Sequence, residues 1–289
     1  MSFATRLKTI VVATDLHGRS GGAMEYARKI AAAYGARVVL AHGVDPLEFA
    51  TVKTVPGQVL EKLTGEARTE IERMAADFMR EGIHSHSEIR QGAVADMLVQ
   101  VVRQYQAGLI LVGTEGKDGA GPVLVGSLAE QLVRAVGCPV LAVASDWNAG
   151  PHRPTPGGPV MLALERNEAS SSAVEAAISL AEVFERPLIA VHARSAADAA
   201  AGFDPCATSA RDFGIEAGEK LEVGCVVKDG EPADAVAQAI DEYHPSILVV
   251  GVKRASETPG PHGTAFTLLA RSRVPVLCVP PAAQEAGKG

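Results

Sequence analysis

The stretch VGTEGKDGAGPVLVGSLAEQL, Val112 to Leu132, follows the apolar run Leu109 to Val112 and carries Gly113, Gly116, Gly126 and Ser127 in the spacing G-x2-G-x9-G-S. This order predicts a strand that ends, a backbone that turns on glycines, and a helix that begins at Ser127 with its hydroxyl as a cap. Glycines let the main chain approach an anion closely, and the first amides of a helix point outward unpaired and partly positive. The arrangement therefore suits a bound phosphate, although glycine-rich strand-to-helix turns also occur in α/β proteins that hold no ligand.

Working outward, continuous apolar runs alternate with segments of helical spacing. TIVVA, RVVLAH, LILVG and PVLAV read as strands in the first half, and VMLAL, PLIAVH, SILVVG and PVLCV in the second. GGAMEYARKIAAAYG and ADMLVQVVRQYQA read as helices between them. Strands apolar on both faces, alternating with helices, specify a doubly wound parallel α/β sheet, whose ligand crevice lies beyond the carboxyl ends of the strands where the strand order reverses. Asp15, Gly43 and Gly113 each follow or close a strand and can converge there.

The chain repeats itself. An offset of 150 aligns Ala13 with Ala163, Asp15 with Glu165, Ser20 with Ser170, Glu25 with Glu175 and His42 with His192. The offset then falls to 138, aligning Gly92 with Gly230, Ala95-Asp96 with Ala233-Asp234, Tyr105 with Tyr243, and Val112-Gly113 with Val250-Gly251. Such a period is too long for a solenoid and indicates two homologous domains. A chain of 289 residues with 47% hydrophobic content suits two cores. The expected boundaries are a domain at 1–145, a proline- and glycine-rich linker at 146–159 that starts beside the only tryptophan, Trp147, a second domain at 160–282 and a tail at 283–289.

IVVATDLHGRS (Ile10 to Ser20), ARVVLAHGVD (Ala36 to Asp45), the glycine motif and CPVLAV (Cys138 to Val143), in this order, resemble the universal stress protein family, and the likeness covers nearly the whole chain twice. The resemblance implies two tandem five-stranded domains of the adenine nucleotide α-hydrolase-like type. It implies that Ala13, Thr14 and Asp15 line an adenosine pocket with Gly43, that Val112 and Gly113 flank the nucleoside, that Gly116 gives the phosphates room, and that Gly126, Ser127 and Leu128 bind phosphate oxygens. The implied ligand is ATP, with ADP or AMP as alternatives, carrying its own magnesium or manganese. A plain turn or cap role for Asp15 is the competing reading from the residues alone. Through the terminal strands Pro139 to Val143 and Pro275 to Val279, the resemblance also implies an intrachain pseudo-dimer of the two domains, with homodimerisation of the chain and an unidentified protein partner left open.

Departures from the family pattern divide the two halves. Glu115 stands where the family often has Arg or His; it either repels polyphosphate, with Lys117 offsetting it, or points into water. In the second half Arg254 replaces the second motif glycine, and Gly263-Thr264 follows after eight residues rather than nine. Arg254 either fills the space that phosphate needs or clamps an anion; the lost or altered site is the preferred reading. His42 to Gly92 spans 50 residues and His192 to Gly230 only 38, so the second half lacks much of what reads in the first as a long helix after Gly65. One binding domain and one structural or docking domain are expected.

Several functions are excluded or disfavoured. A net charge of -7 and a pI of about 5.7 oppose nucleic acid and anionic membranes. No stretch reaches membrane-span length and no signal peptide is read, so a cytoplasmic location is expected. Neither G-x4-G-K-[S/T] nor G-x-G-x2-G occurs, which removes P-loop and Rossmann dinucleotide mechanisms. The string RSGGAME lacks the Asp-Ser pair of an adenylating pyrophosphatase loop. Cys138, Cys206, Cys225 and Cys278 show no C-x2-C spacing and read as buried or spare thiols rather than disulfides or zinc ligands. His84 and His86 alternate on an expected third strand as a solvated or packed pair with no third metal ligand nearby. Nothing ties a nucleophile to a base. Three functions remain: an ATP-binding stress-response or regulatory protein, a slow ATPase or nucleotidyl-transfer enzyme, and a nucleotide-free protein-interaction module.

Overall fold

The computed structural model describes residues 2–16, 18, 20–45, 57–114, 127–145, 157–164, 168–195, 206, 221–252, 263–272 and 274–281. The chain divides into two compact units, one built chiefly from residues up to Asp146 and the other from Trp147 onward.

The short α1 (Phe3–Arg6) opens the chain, and the first unit contains β1 (Thr9–Ala13), α2 (Gly21–Tyr34), β2 (Arg37–Val44), α3 (Gly57–Arg80), β3 (Ser85–Gln91), α4 (Val94–Gln104), β4 (Leu109–Thr114), α5 (Ser127–Ala135) and β5 (Val140–Ala144). Its strands are parallel in the order β3-β2-β1-β4-β5. Every residue of β1 and β5 is buried, which is why these segments read as unbroken apolar runs. Full burial of Ile10, Val11 and Val12 contributes roughly 1.5–3 kcal/mol for each side chain. On one face α2 and α3 meet, with the Arg28 guanidinium 4.6 Å from the centre of the Phe78 ring; on the other, α4 packs with α5.

The second unit contains β6 (Val160–Ala163), α6 (Glu168–Phe184), β7 (Leu188–Arg194), β8 (Val223–Asp229), α7 (Pro232–Tyr243), β9 (Ile247–Gly251), α8 (Thr264–Arg271) and β10 (Val276–Val279). Its order, β8-β7-β6-β9-β10, is the same topology. The sequence repeat holds at the level of register. Ala13 pairs with Ala41 and Val112, and Ala163 pairs with Val191 and Val250, the positions the two offsets dictate. Gly92 and Gly230, also equivalent, adopt φ of 122° and 123°, which only glycine tolerates readily.

Three expectations need correction. The long helix α3 starts at Gly57, eight residues before Gly65, because Ile71, Ala75 and Phe78 bury a face large enough to outweigh one interior glycine. His84 lies just before β3 rather than in it, and the exposed His86 ring sits 5.7 Å from Tyr105 with its Nε2 3.6 Å from Glu88. Most consequentially, Cys206 and Cys225 are a disulfide and not thiols: β8 brings the Cys225 Cα to 5.7 Å from that of Cys206 across a separation of 19 residues. Cys138 and Cys278 are free, Cys138 half-buried and Cys278 buried.

Candidate functional site

In the first unit the strand order reverses between β1 and β4, the two strands that flank the switch point of a doubly wound sheet. Ala13, the last residue of β1, is the register partner of Val112 on β4, so the chain leaves both strands side by side: into Thr14 and Asp15 from one, through Gly113 and Thr114 from the other. Gly43 lies two residues past Ala41, the β2 partner of Ala13. Ala13, Thr14, Val112, Gly113 and Gly43 are thus gathered at the carboxyl ends of three adjacent strands. Ser127 is the first residue of α5 and the half-exposed Leu128 the second. Gly116 and Gly126, with Glu115 and Lys117, lie outside the described residues, as do Trp147, Glu165 and Arg254.

The loop after β1 is held by a directed hydrogen-bond chain. Asp15 Oδ1 accepts from the Ser20 hydroxyl at 2.9 Å and from the Ser20 amide at 3.3 Å. An ionised carboxylate can only accept, so the Ser20 proton is committed to Asp15, and the 3.1 Å contact between Thr14 Oγ1 and Ser20 Oγ has Thr14 as its donor. Thr14 Oγ1 in turn accepts from the Leu16 amide at 3.1 Å, and the Thr14 carbonyl accepts from His42 Nδ1 at 2.8 Å. Thr14 and Ser20 are buried while Asp15, Leu16 and His42 are half-exposed, so it is the Thr14–Ser20 link that forms away from competing water. Leu16 carries φ of 62°, a left-handed conformation that a non-glycine residue adopts at a cost of about 1–2 kcal/mol. The chain Thr14-Ser20-Asp15 offsets that cost and fixes where α2 begins. The turn role for Asp15 is therefore occupied by its Oδ1.

Gly43 has a packing reason of its own. A Cβ there would stand 3.0 Å from Met97 Cε, 3.1 Å from Val94 Cγ2 and 3.4 Å from Val94 Cα, so α4 approaches β2 as closely as it does because residue 43 lacks a side chain. Sequence reasoning assigned no hydrogen-bonding role to the Thr14 hydroxyl, to Ser20 or to His42, which reads in the sequence, like His192, as a fold residue at a strand end. The local signal for the first two was present, a Thr-Asp pair six to seven residues before a helix start, which is the pattern of side chains that hydrogen-bond nearby backbone. Among the described residues no three His, Cys, Asp or Glu side chains gather in a way that could hold a metal ion, and no helix is long and apolar enough to cross a membrane.

The comparisons with known proteins fit this geometry. The model of the universal stress protein family matches the chain twice, over residues 6–144 and 158–280. A universal stress protein of Methanocaldococcus jannaschii is 31% identical over 141 residues, covering 47% of this chain and 81% of that protein. One from Thermus aquaticus is 30% identical over 142 residues, covering 47% of this chain and 98% of its own length. A crystal structure of a universal stress protein from Archaeoglobus fulgidus shares the fold over 95% of this chain and 99% of its own, with a TM-score of 0.76 at 16% identity. Each of the two curated relatives spans about half of the chain, whereas the Archaeoglobus structure spans both halves. The chain belongs to the universal stress protein family, as a tandem member with two such domains.

Proposed function

We propose that this protein is a cytoplasmic nucleotide-binding stress-response or regulatory protein, with one adenine nucleotide held in the first unit at the carboxyl ends of β1, β2 and β4. The observation that carries this reading is the pairing of Ala13 with Val112 at the switch point, which sets the strand ends Ala13-Thr14 and Val112-Gly113 abreast, the second being followed in sequence by the rest of the G-x2-G-x9-G-S motif. Ala13 and Gly113 leave room for a planar base and a sugar, Asp15 offers a carboxylate to ribose or adenine donors, and Gly116, Gly126, Ser127 and Leu128 supply amides for phosphate oxygens. ATP is the preferred ligand, with ADP and AMP as alternatives. Magnesium or manganese would be carried by the phosphates of the nucleotide, as the family resemblance implies.

The nucleotide in this reading biases conformation or partner docking rather than undergoing turnover. The second unit, with Arg254 in place of the motif glycine, serves structure or docking. An intrachain pseudo-dimer through the terminal strands Pro139 to Val143 and Pro275 to Val279 is the assembly that the family resemblance suggests, with homodimerisation of the chain left open. The decisive experiment is to denature the purified protein and identify released nucleotide by mass spectrometry, then measure ATP, ADP and AMP affinity by calorimetry. Copurifying adenine nucleotide supports the reading, and absence of both copurified and added nucleotide would overturn it in favour of an interaction module. Steady-state phosphate release would move it to the slow ATPase.

A further inference from the structure

The four cysteines fall into two chemical classes. Cys278 is enclosed and Cys138 half-buried, and burial pushes both thiols up to about 12, leaving roughly one part in 10⁵ as thiolate at neutral pH. Cys206 and Cys225 are different. Cys225 is an exposed residue of β8, the last strand on its side of the second unit, and Cys206 is half-exposed. The separation of their Cα atoms, 5.7 Å, lies in the usual range for a bridge, so two reduced thiols on this backbone meet without rearrangement of the chain. They lie 19 positions apart in the chain, so a reduced pair stays tethered and recloses readily.

We propose that Cys206 and Cys225 form a reversible dithiol–disulfide site on the second unit, closed by a peroxide and reopened by a small dithiol reductant. On closing, one thiolate attacks hydrogen peroxide, breaking the O–O bond and releasing hydroxide, and becomes a sulfenic acid. The second thiolate attacks that sulfur and displaces its oxygen as water. The balance is two thiols and one peroxide to one disulfide and two waters. On opening, a thiolate of the reductant attacks the exposed Cys225 sulfur or its partner, and the reductant leaves as its own disulfide. Three observations point to cycling rather than to a permanent staple. The bridge lies where a reductant can reach it, the closure is local in sequence, and the two remaining thiols are too weakly acidic to capture the sulfenic acid or scramble the bridge.

The test uses the full chain. Protein is reduced with dithiothreitol under native conditions, desalted, treated with stepwise hydrogen peroxide and sampled with a maleimide reagent before and after denaturation. The expected result is that reduced protein shows two fast-reacting thiols, mapped by peptide mass spectrometry to Cys206 and Cys225. Both should disappear together at about one peroxide per chain, with a single Cys206–Cys225 crosslinked peptide, and return on renewed reduction. Cys206→Ser should divert the peroxide product at Cys225 to a sulfenic acid, detected by a dimedone probe, without forming the intrachain bridge. A bridge that survives dithiothreitol in the native protein would overturn the proposal and make it a structural staple. So would native labelling of Cys138 or Cys278 as fast as the pair, a crosslink between other cysteines, or thiols that peroxide leaves unchanged.

Discussion

Replacing Thr14 with valine isolates the hydroxyl that organises the loop beneath the candidate nucleotide. The side chain is 6% exposed, so the variant keeps a buried residue of similar volume while losing both the acceptor for the Leu16 amide and the donor to Ser20 Oγ. At 3.1 Å each bond is toward the long end of its range, and a net value of about 0.5–1 kcal/mol apiece gives about 1–2 kcal/mol for the pair. The left-handed Leu16 then has less to hold it. A loss of that size lowers the ratio of the hydrogen-bonded to the unbonded arrangement of Thr14, Leu16 and Ser20 by about five- to thirtyfold. If only the bonded arrangement binds nucleotide, the apparent ATP Kd rises by up to the same factor. Hydrogen exchange at the Leu16 amide, read together with ATP calorimetry, checks both. Protection at Leu16 should fall with affinity, amides of β4 and of the second unit should be unchanged, and Thr14→Ser should restore both quantities. A Thr14→Val protein with wild-type Leu16 protection and wild-type ATP affinity would refute the reasoning.

Titration calorimetry of the wild type should give one adenine nucleotide per chain, and Gly116→Arg, which imports the second repeat's residue at that position, should weaken binding at least about tenfold by filling the space phosphate needs; two equal sites would contradict this. Gly43→Val should lower the stability of the first unit by about 1–3 kcal/mol, because the flexible Met97 tip can move but the Val94 backbone atom at 3.4 Å cannot. Urea unfolding would show it as a lower midpoint with an unchanged slope, and a midpoint equal to the wild type's would sink the packing account. The Cys278 thiol, pushed from 9.0 up to about 12 by burial, stays protonated in the fold while the unfolded thiol ionises near 9. Its contribution is therefore whole below pH 9 and is lost as pH rises toward 12, by on the order of 4 kcal/mol at the upper end. Cys278→Val should flatten that alkaline limb relative to the wild type, and identical limbs would show that the thiol is not the group responsible.

The central strands were legible because burial on both faces removes the need for polar residues: TIVVA became Thr9–Ala13 and PVLCV became Val276–Val279 with the loss of a single leading proline. The edge strands were less so: a third strand was expected only from the alternation of His84 and His86, and VGCVVKD was not read as a strand. SHSEIRQ and VGCVVKD are half-exposed along most of their length and carry charge, as at Glu88 and Arg90, which ion-pair on the rim of β3. Such strands look like loops in a sequence because solvent, not a packed face, sets their composition. Missing β8 also hid the disulfide, since only that strand places Cys225 beside Cys206. At the candidate site the glycine spacing and Asp15 were visible as pattern. His42 was readable only as a fold residue, and its bond to the Thr14 carbonyl depends on β2 lying alongside β1, a contact between residues 28 apart in the chain.

The two units share register to the residue, so a difference in what they bind has to be sought in what the sheets carry rather than in the sheets. Ala13 beside Val112 and Ala163 beside Val250 present the same small strand ends, and Gly92 and Gly230 turn the chain at nearly the same φ. The divergence is concentrated in the loops after those strands, where Arg254 stands for Gly116 and Glu165 for Asp15, and at the edge, where Cys225 occupies the position of Ser87. A serine-to-cysteine exchange on an edge strand costs the fold little, because the side chain is exposed and differs by one atom. In the proposed site, a glycine-to-arginine exchange at the position of Gly116 would fill the space that phosphate needs. With the register shared, Cys225 lies on β8, two strands away from β6 and away from the strand ends equivalent to those where a nucleotide is proposed in the first unit.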